Sequence, residues 1–368
     1  MEARTLGITM GTPYFKIRHE LEKLKVVVRS SNYALYGDMS QRLMSLLRAN
    51  CNEIEIYSID EAFVRLSRPP NSNIHSWARK LRAQAYRNLG LPIAIGIGKN
   101  KCQAKIANHI AKDTPAHAGI FDLLNTEDTD QLLEAIAIEE VWGIGQKAAR
   151  WCRMRNIQTA RQLRDMPTSE LRASCGVKTV RIQLELRGHL CLPLSLTSSP
   201  KKETCVSRSF SRPITLIEEL REAISTYVVC GSVKLRYQQQ YARTITIFVR
   251  INSLTTPSNI QTATTQLDLP SNDTNVLLKA ALKLVEQIFQ PHRKLTKAGV
   301  IMQQLQETKY LQHHLFTKHG VKEQKHQENL MSTVDHINER YGRNTVSWAA
   351  CGVQQTWHMR RNQLSRSS

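Results

Sequence analysis

No run of apolar residues in this chain approaches the roughly 20 needed to cross a bilayer as a helix. The opening stretch, Met1 to Gly7, has no basic region followed by an apolar one, so no secretory signal is expected. There is no long helix with one basic and one apolar face either, which argues against attachment to anionic membrane. The eight cysteines (51, 102, 152, 175, 191, 205, 230 and 351) include no Cys-x-x-Cys pair. That scatter excludes a disulfide framework or a zinc site as the organising feature and fits free thiols in a reducing cytoplasm. Internal repeats are absent. Acidic charge is in short supply: 31 Asp and Glu against 51 Lys and Arg leave +20 over 368 residues.

The basic excess is spread over the chain, +9 in residues 1–200 and +11 in 201–368. Such a surface attracts polyanions at long range, and nucleic acid is the commonest of them. Residues 51–60 run against this background at net −3, through Glu53, Glu55 and Asp60, and Glu61 follows at once. Acids gathered in a basic protein suggest a divalent-metal site, although an exposed strand face would look similar.

The length predicts two to four compact units. A helix and then a strand through Val26-Val27-Val28 are expected first, with a turn at Gly11-Thr12-Pro13. Asp38 reads as the N-cap of an amphipathic helix carrying Leu43, Leu46 and Leu47. The alternation in Glu53–Ser58 predicts a half-buried strand, followed by a turn at Ile59-Asp60-Glu61 and a second strand over Ala62–Leu66. A helix over 74–88, a strand over Ile93–Gly98 and a helix over Lys101–Ala111 complete a mixed α/β unit. Residues 121–195 read as helical, broken by Trp142-Gly143-Ile144-Gly145, and a linker runs to Lys202. Beyond it, strand, helix, two strands, helix and strand suggest a split-βαβ domain. Its first helix is expected to open with a capping box, Thr215 with Glu218. The tail gives a helix over 327–340.

The chemistry concentrates in Tyr57-Ser58-Ile59-Asp60-Glu61-Ala62-Phe63. A tight turn brings both carboxylates to one mouth, and hard cations such as Mg²⁺ take oxygen ligands. Taken alone, the pair reads more readily as a solvated hairpin tip. Trp142-Gly143-Ile144-Gly145, with Lys147 beyond, fits a helix-hairpin-helix whose free backbone N–H groups can hold a DNA phosphate. Arg150, Arg153 and Arg155 stand behind it; a generic helix–helix turn is the plainer alternative.

The Ser-Ile-Asp-Glu-Ala-Phe run resembles the palm motif of Y-family translesion DNA polymerases, and the resemblance continues in order along nearly the whole chain. Glu2-Ala3-Arg4 with Leu6-Gly7-Ile8 resembles the fingers segment, Gly96-Ile97-Gly98-Lys99-Asn100-Lys101 the stretch after a palm strand. The final segment, with Trp348, Cys351-Gly352 and Trp357, resembles the C-terminal extension of the UmuC-type, SOS-response branch. The resemblance implies a right-hand architecture: an α/β mixed-sheet palm, a helical thumb and an α+β split-βαβ little finger. The corresponding ranges are partial fingers over 1–31, palm over 32–120, thumb over 121–198, little finger over 203–309 and extension over 310–368.

It further implies that Asp60 and Glu61 are catalytic and bind Mg²⁺, while Arg4 and Lys112 hold the incoming deoxynucleoside triphosphate. Primer–template DNA would meet Gly143, Gly145, Lys147, Arg208, Arg212 and Arg243. Gln312, Leu315 and Phe316 resemble the Gln-x-x-Leu-Phe peptide that docks on a sliding clamp, and a UmuD-type protein is the implied partner. In this family the strand bearing the first catalytic Asp precedes the fingers, whereas here Met1 already falls in the fingers. Two Mg²⁺ ions ~4 Å apart repel by roughly 17 kcal/mol at an effective dielectric of ~20. Asp60 and Glu61 alone are therefore expected to leave the chain weak or inactive. A misassigned start, a degraded copy and a separately supplied strand all stay open. So does a second function class, a non-catalytic accessory protein that binds DNA and the clamp.

Overall fold

The computed structural model describes residues 2–66, 73–197, 200–251, 259–307, 321–359 and 362–365. The chain divides into two compact units, 1–198 together with 364–368, and 199–363. Among the described residues no helix is long and apolar enough to cross a membrane.

The first unit opens with two helices, α1 (Glu2–Thr5) and α2 (Tyr14–Lys23), then α3 (Tyr33–Asn50). The strand expected at Val26–Val28 does not form: those residues join no ladder, and Ser30 makes a single parallel bridge to Leu364. Asp38 is not a cap. The Asn32 side chain accepts from the Leu35 N–H at 3.2 Å and starts the helix six residues earlier, while Asp38 pairs with Arg42 inside it. Strands β1 (Glu53–Ile56) and β2 (Ala62–Arg65) form the expected antiparallel hairpin, Glu55 opposite Phe63.

Helix α4 (Ile74–Leu89) leads to β3 (Ile95–Ile97) and α5 (Lys101–Asp113). A further strand, β4 (Ile120–Asp122), pairs parallel with β3 inside a stretch expected to be helical. At three residues it is too short for a visible alternation. Gly96 lets β3 lie against α5, since a Cβ there would sit 2.1 Å from the Asn108 backbone nitrogen. Helices α6 (Thr129–Glu134), α7 (Gln146–Arg153), α8 (Ala160–Asp165) and α9 (Thr168–Leu186) follow, the last broken at Gly176. Their core includes Leu133, Ile138, Leu163 and Leu171 and takes in Cys102 and Ile106 of α5. Glu185, fully buried, accepts from the backbone N–H groups of Cys102, Cys191 and Leu192 at 2.9, 3.2 and 2.8 Å. That carboxylate satisfies a donor at the start of α5 and joins the helical part to the α/β part.

The second unit contains β5 (Glu203–Ile214), α10 (Ile217–Tyr237), β6 (Gln240–Ile251), β7 (Asn259–Ser271), α11 (Thr274–Ile288), β8 (Leu295–Gln303) and the short β9 (Gln306–Glu307). The sheet order β5-β8-β6-β7 places β8 between β5 and β6, which makes the first βαβ a split one as expected. The capping box at Thr215 is not made: α10 starts after Leu216 without a side-chain cap. Helices α10 and α11 close one face of the sheet over Ile245, Ile247, Val249 and Val300. Helix α12 (Val321–Tyr341) and the segment after it pack on the same unit. Arg236 holds Asp335 through two bonds of 2.6 and 2.8 Å. Trp357 is 1% exposed within the core.

Candidate functional site

The turn between β1 and β2 is closed by the N–H groups of Tyr57 and Ser58, both donating to the Glu61 carbonyl at 3.0 Å. This tight closure puts Asp60 and Glu61 side by side at the tip. Asp60 is exposed and accepts from the Ser58 hydroxyl at 2.6 Å. Glu61 is half-buried and accepts from Lys105 Nζ at 2.6 Å. One helical turn earlier on α5, Lys101 donates to Glu55 at 2.6 Å, and the Ser195 N–H reaches the same Glu55 oxygen at 2.6 Å. The two lysines lie four apart and therefore share a face of α5. The hairpin adds no residue to the buried apolar clusters. Ion pairs to α5, the packing of α3 on β1 and one aromatic contact hold it.

That contact is a triangle of rings. Tyr57, Phe63 and Trp142 lie with centroids 5.6 to 5.7 Å apart, each pair edge-to-face. Lys101 Nζ stands 5.4 Å from the Phe63 centroid. Neither the lysine pair nor the triangle is visible in the sequence, because each joins segments more than forty residues apart. The hint was local: aromatic residues on both sides of the acidic turn, and a tryptophan opening the glycine hairpin.

Gly143 has φ +87, and a Cβ there would meet Ile182 Cδ1 at 2.8 Å. Gly145 caps α7, and a Cβ added to it would meet no atom within 4 Å, so its backbone is open to a close approach. The limb before the hairpin is a single 3₁₀ turn, Ile138–Glu140. Lys147 and Arg150 are exposed on α7, whereas Arg153 pairs with Glu139 at 2.9 Å and Arg155 lies over the Trp151 ring. Lys112 is exposed in the last turn of α5. Arg4 lies in α1, its side chain outside the described residues, as are Gln312, Leu315 and Phe316.

In the second unit Arg208 lies two residues on from Val206, which packs on the helices, so it leaves the edge strand on the same, helical side. Arg212 bonds Glu219 of α10 and the Thr356 hydroxyl. Arg243 is half-buried, with its Nε unpaired. The open face of the sheet carries Thr246, Phe248, Arg250 and Lys297, and Arg250 stands directly opposite Lys297. Like charges facing each other across strands are unfavourable unless an anion joins them.

Hard carboxylate oxygens suit a divalent cation better than thiol or imidazole would. No group of three or more potential metal ligands occurs among the described residues. Asp60 and Glu61 thus fit one hard ion, with Lys105 competing for Glu61.

Residues 1–109 match the impB/mucB/samB family, 201–315 its C-terminal domain, and 328–368 a domain of unknown function, DUF4113. Protein UmuC of Salmonella typhimurium is 35% identical over 99% of this chain and 87% of its own length. Protein MucB of Escherichia coli is 31% identical over 99% and 86%. DNA polymerase IV of Bacillus velezensis is 26% identical over 94% and 81%. A Y-family DNA polymerase chimera of Dbh and Dpo4 superposes with a TM-score of 0.64 at 21% identity, over 83% of this chain and 86% of that one.

Proposed function

The chain belongs to the UmuC-type branch of the Y-family DNA polymerases, and from that premise we propose how its residues carry error-prone, translesion DNA synthesis. The observation that supports the assignment best is the Asp60–Glu61 turn, seated on α5 within a chain similar to UmuC over almost its full length. Relatives named as DNA polymerases favour an enzyme over a non-catalytic accessory protein.

Asp60 and Glu61 would hold Mg²⁺, which when bound draws charge from phosphoryl oxygens and favours attack of a primer hydroxyl on the α-phosphate. Lys105 neutralises Glu61 until the metal arrives and leaves a positive charge beside it, so metal affinity should be low and synthesis weak. Arg4 and Lys112 hold the triphosphate, Arg as a fork and Lys as a point charge. Gly143, Gly145 and Lys147 take a backbone phosphate of the duplex.

In the second unit the facing Arg250 and Lys297 invite a phosphate to the open sheet face. Arg208, on the helical side of the edge strand, and Arg243 add positive charge elsewhere on the unit, and Arg212 becomes available on release from Glu219. Gln312, Leu315 and Phe316 engage a sliding clamp, and a UmuD-type protein acts with the chain in the cytoplasm.

Primer–template affinity, read by fluorescence anisotropy across salt concentrations, tests this reading. Log affinity should fall steeply with log salt, and Lys147→Ala and Lys297→Ala should each flatten the slope by about one. Salt-insensitive binding would refute it.

A further inference from the structure

We propose that Trp142 is a positioning residue for the carboxylate turn, tying Asp60 and Glu61 to the DNA-binding glycine hairpin through the Tyr57–Phe63–Trp142 ring triangle. The inference rests on the function proposed above and specifies how two of its parts are kept in register. Tyr57 stands just before the acidic turn and Phe63 just after it, so the two rings flank the metal-binding tip. Trp142 comes immediately before Gly143, the residue whose positive φ makes the hairpin. All three rings are in mutual contact at 5.6 to 5.7 Å. A displacement of the glycine hairpin on engaging a phosphate is therefore passed to both flanks of the turn.

Two further observations support a positioning role over simple core filling. Trp142 also packs against the helical core of α6 to α9, so the rings join the β1–β2 hairpin to that core, while α3 packs on β1 from another side. The Trp142 indole N–H is buried without a partner, which means that packing alone holds the ring. A hydrogen bond is not what it supplies. Phenylalanine keeps an edge in the triangle and removes an unsatisfied donor. Trp142→Phe should therefore rescue what Trp142→Ala loses.

The test compares wild type, Trp142→Ala and Trp142→Phe by primer–template affinity, by single-turnover extension at saturating DNA and Mg²⁺, and by hydrogen exchange at residues 57–61. Thermal unfolding establishes that each variant is folded. We expect Trp142→Ala to bind DNA within about threefold of wild type, yet to extend at least tenfold more slowly from the bound complex. Its turn should also lose the protection that DNA confers on residues 57–61 in wild type. Trp142→Phe should stay within about threefold on every measure.

An alanine variant that binds DNA weakly but extends normally once bound would overturn the proposal and make Trp142 a thumb-packing residue. An unfolded alanine variant shifts the decision to phenylalanine, and loss of extension there with normal folding would also overturn it. Wild type that fails to bind primer–template, or Asp60→Asn that extends like wild type, would instead refute the function on which the inference rests.

Discussion

Replacing Trp357 with alanine should destabilise the second unit strongly and leave the first intact. The indole is 1% exposed, sits edge-to-face with Phe210 and Tyr227 at 6.1 and 6.0 Å, and donates to Glu222 at 3.3 Å. Its carbonyl also accepts the Ser211 N–H at 3.1 Å, which ties the C-terminal segment to β5. Truncation removes the apolar transfer term and opens a cavity beside Tyr227 and Phe210. Buried Phe or Trp to Ala changes cost about 3–5 kcal/mol. For a unit of this size each kcal/mol moves Tm by about 2–4 °C, so a fall of ~6–20 °C is expected. Differential scanning calorimetry should show the shift in one of two transitions. The burial of Tyr227, which already pushes its hydroxyl pKa up, should relax toward the ordinary phenol value as water enters. A Tm shift below about 2 °C, or an equal shift in both transitions, would refute the claim that the C-terminal segment is part of this core.

The two hairpin glycines should separate stability from binding. Gly143→Ala forces a side chain into the left-handed region and toward Ile182, and should lower the stability of the first unit by about 1–3 kcal/mol in urea titration. Gly145→Ala meets nothing in the protein, so it should leave that midpoint unchanged while weakening primer–template binding several-fold. Acid should act on the first unit through Arg164, whose guanidinium bonds hold the Asp130 and Asp165 carboxyls below the ordinary value. Their contribution is fully present above about pH 4 and is lost as pH falls through the depressed values. The urea midpoint should therefore drop as pH falls below about 4, less so in Asp130→Asn.

How far the sequence could be read depended on whether a signal was local. The β1–β2 hairpin is legible because charged and apolar residues alternate along it, and the strands of the second unit because β-branched and other apolar residues recur along them. Helix starts differ from the expectation where a good capping residue stands inside a helix, as at Asp38, or where the motif at Thr215 and Glu218 lies beside a start it does not cap. Val26–Val28 has strand propensity but finds no ladder, and propensity without a partner strand decides nothing. Among the proposed site residues, Asp60 and Glu61 stand out in the sequence because they are adjacent. Lys105, Trp142 and the facing Arg250 and Lys297 do not, since each acquires its meaning from a residue distant in the chain.

The most direct test of the central claim is primer extension by the full chain with Mg²⁺ and all four deoxynucleotides, beside Asp60→Asn, at DNA concentrations that saturate both proteins. Slow extension by the wild-type chain and none by Asp60→Asn at equal DNA occupancy is the expected result. Equal extension by the two would contradict it, as would a wild-type chain that binds primer–template and adds no nucleotide.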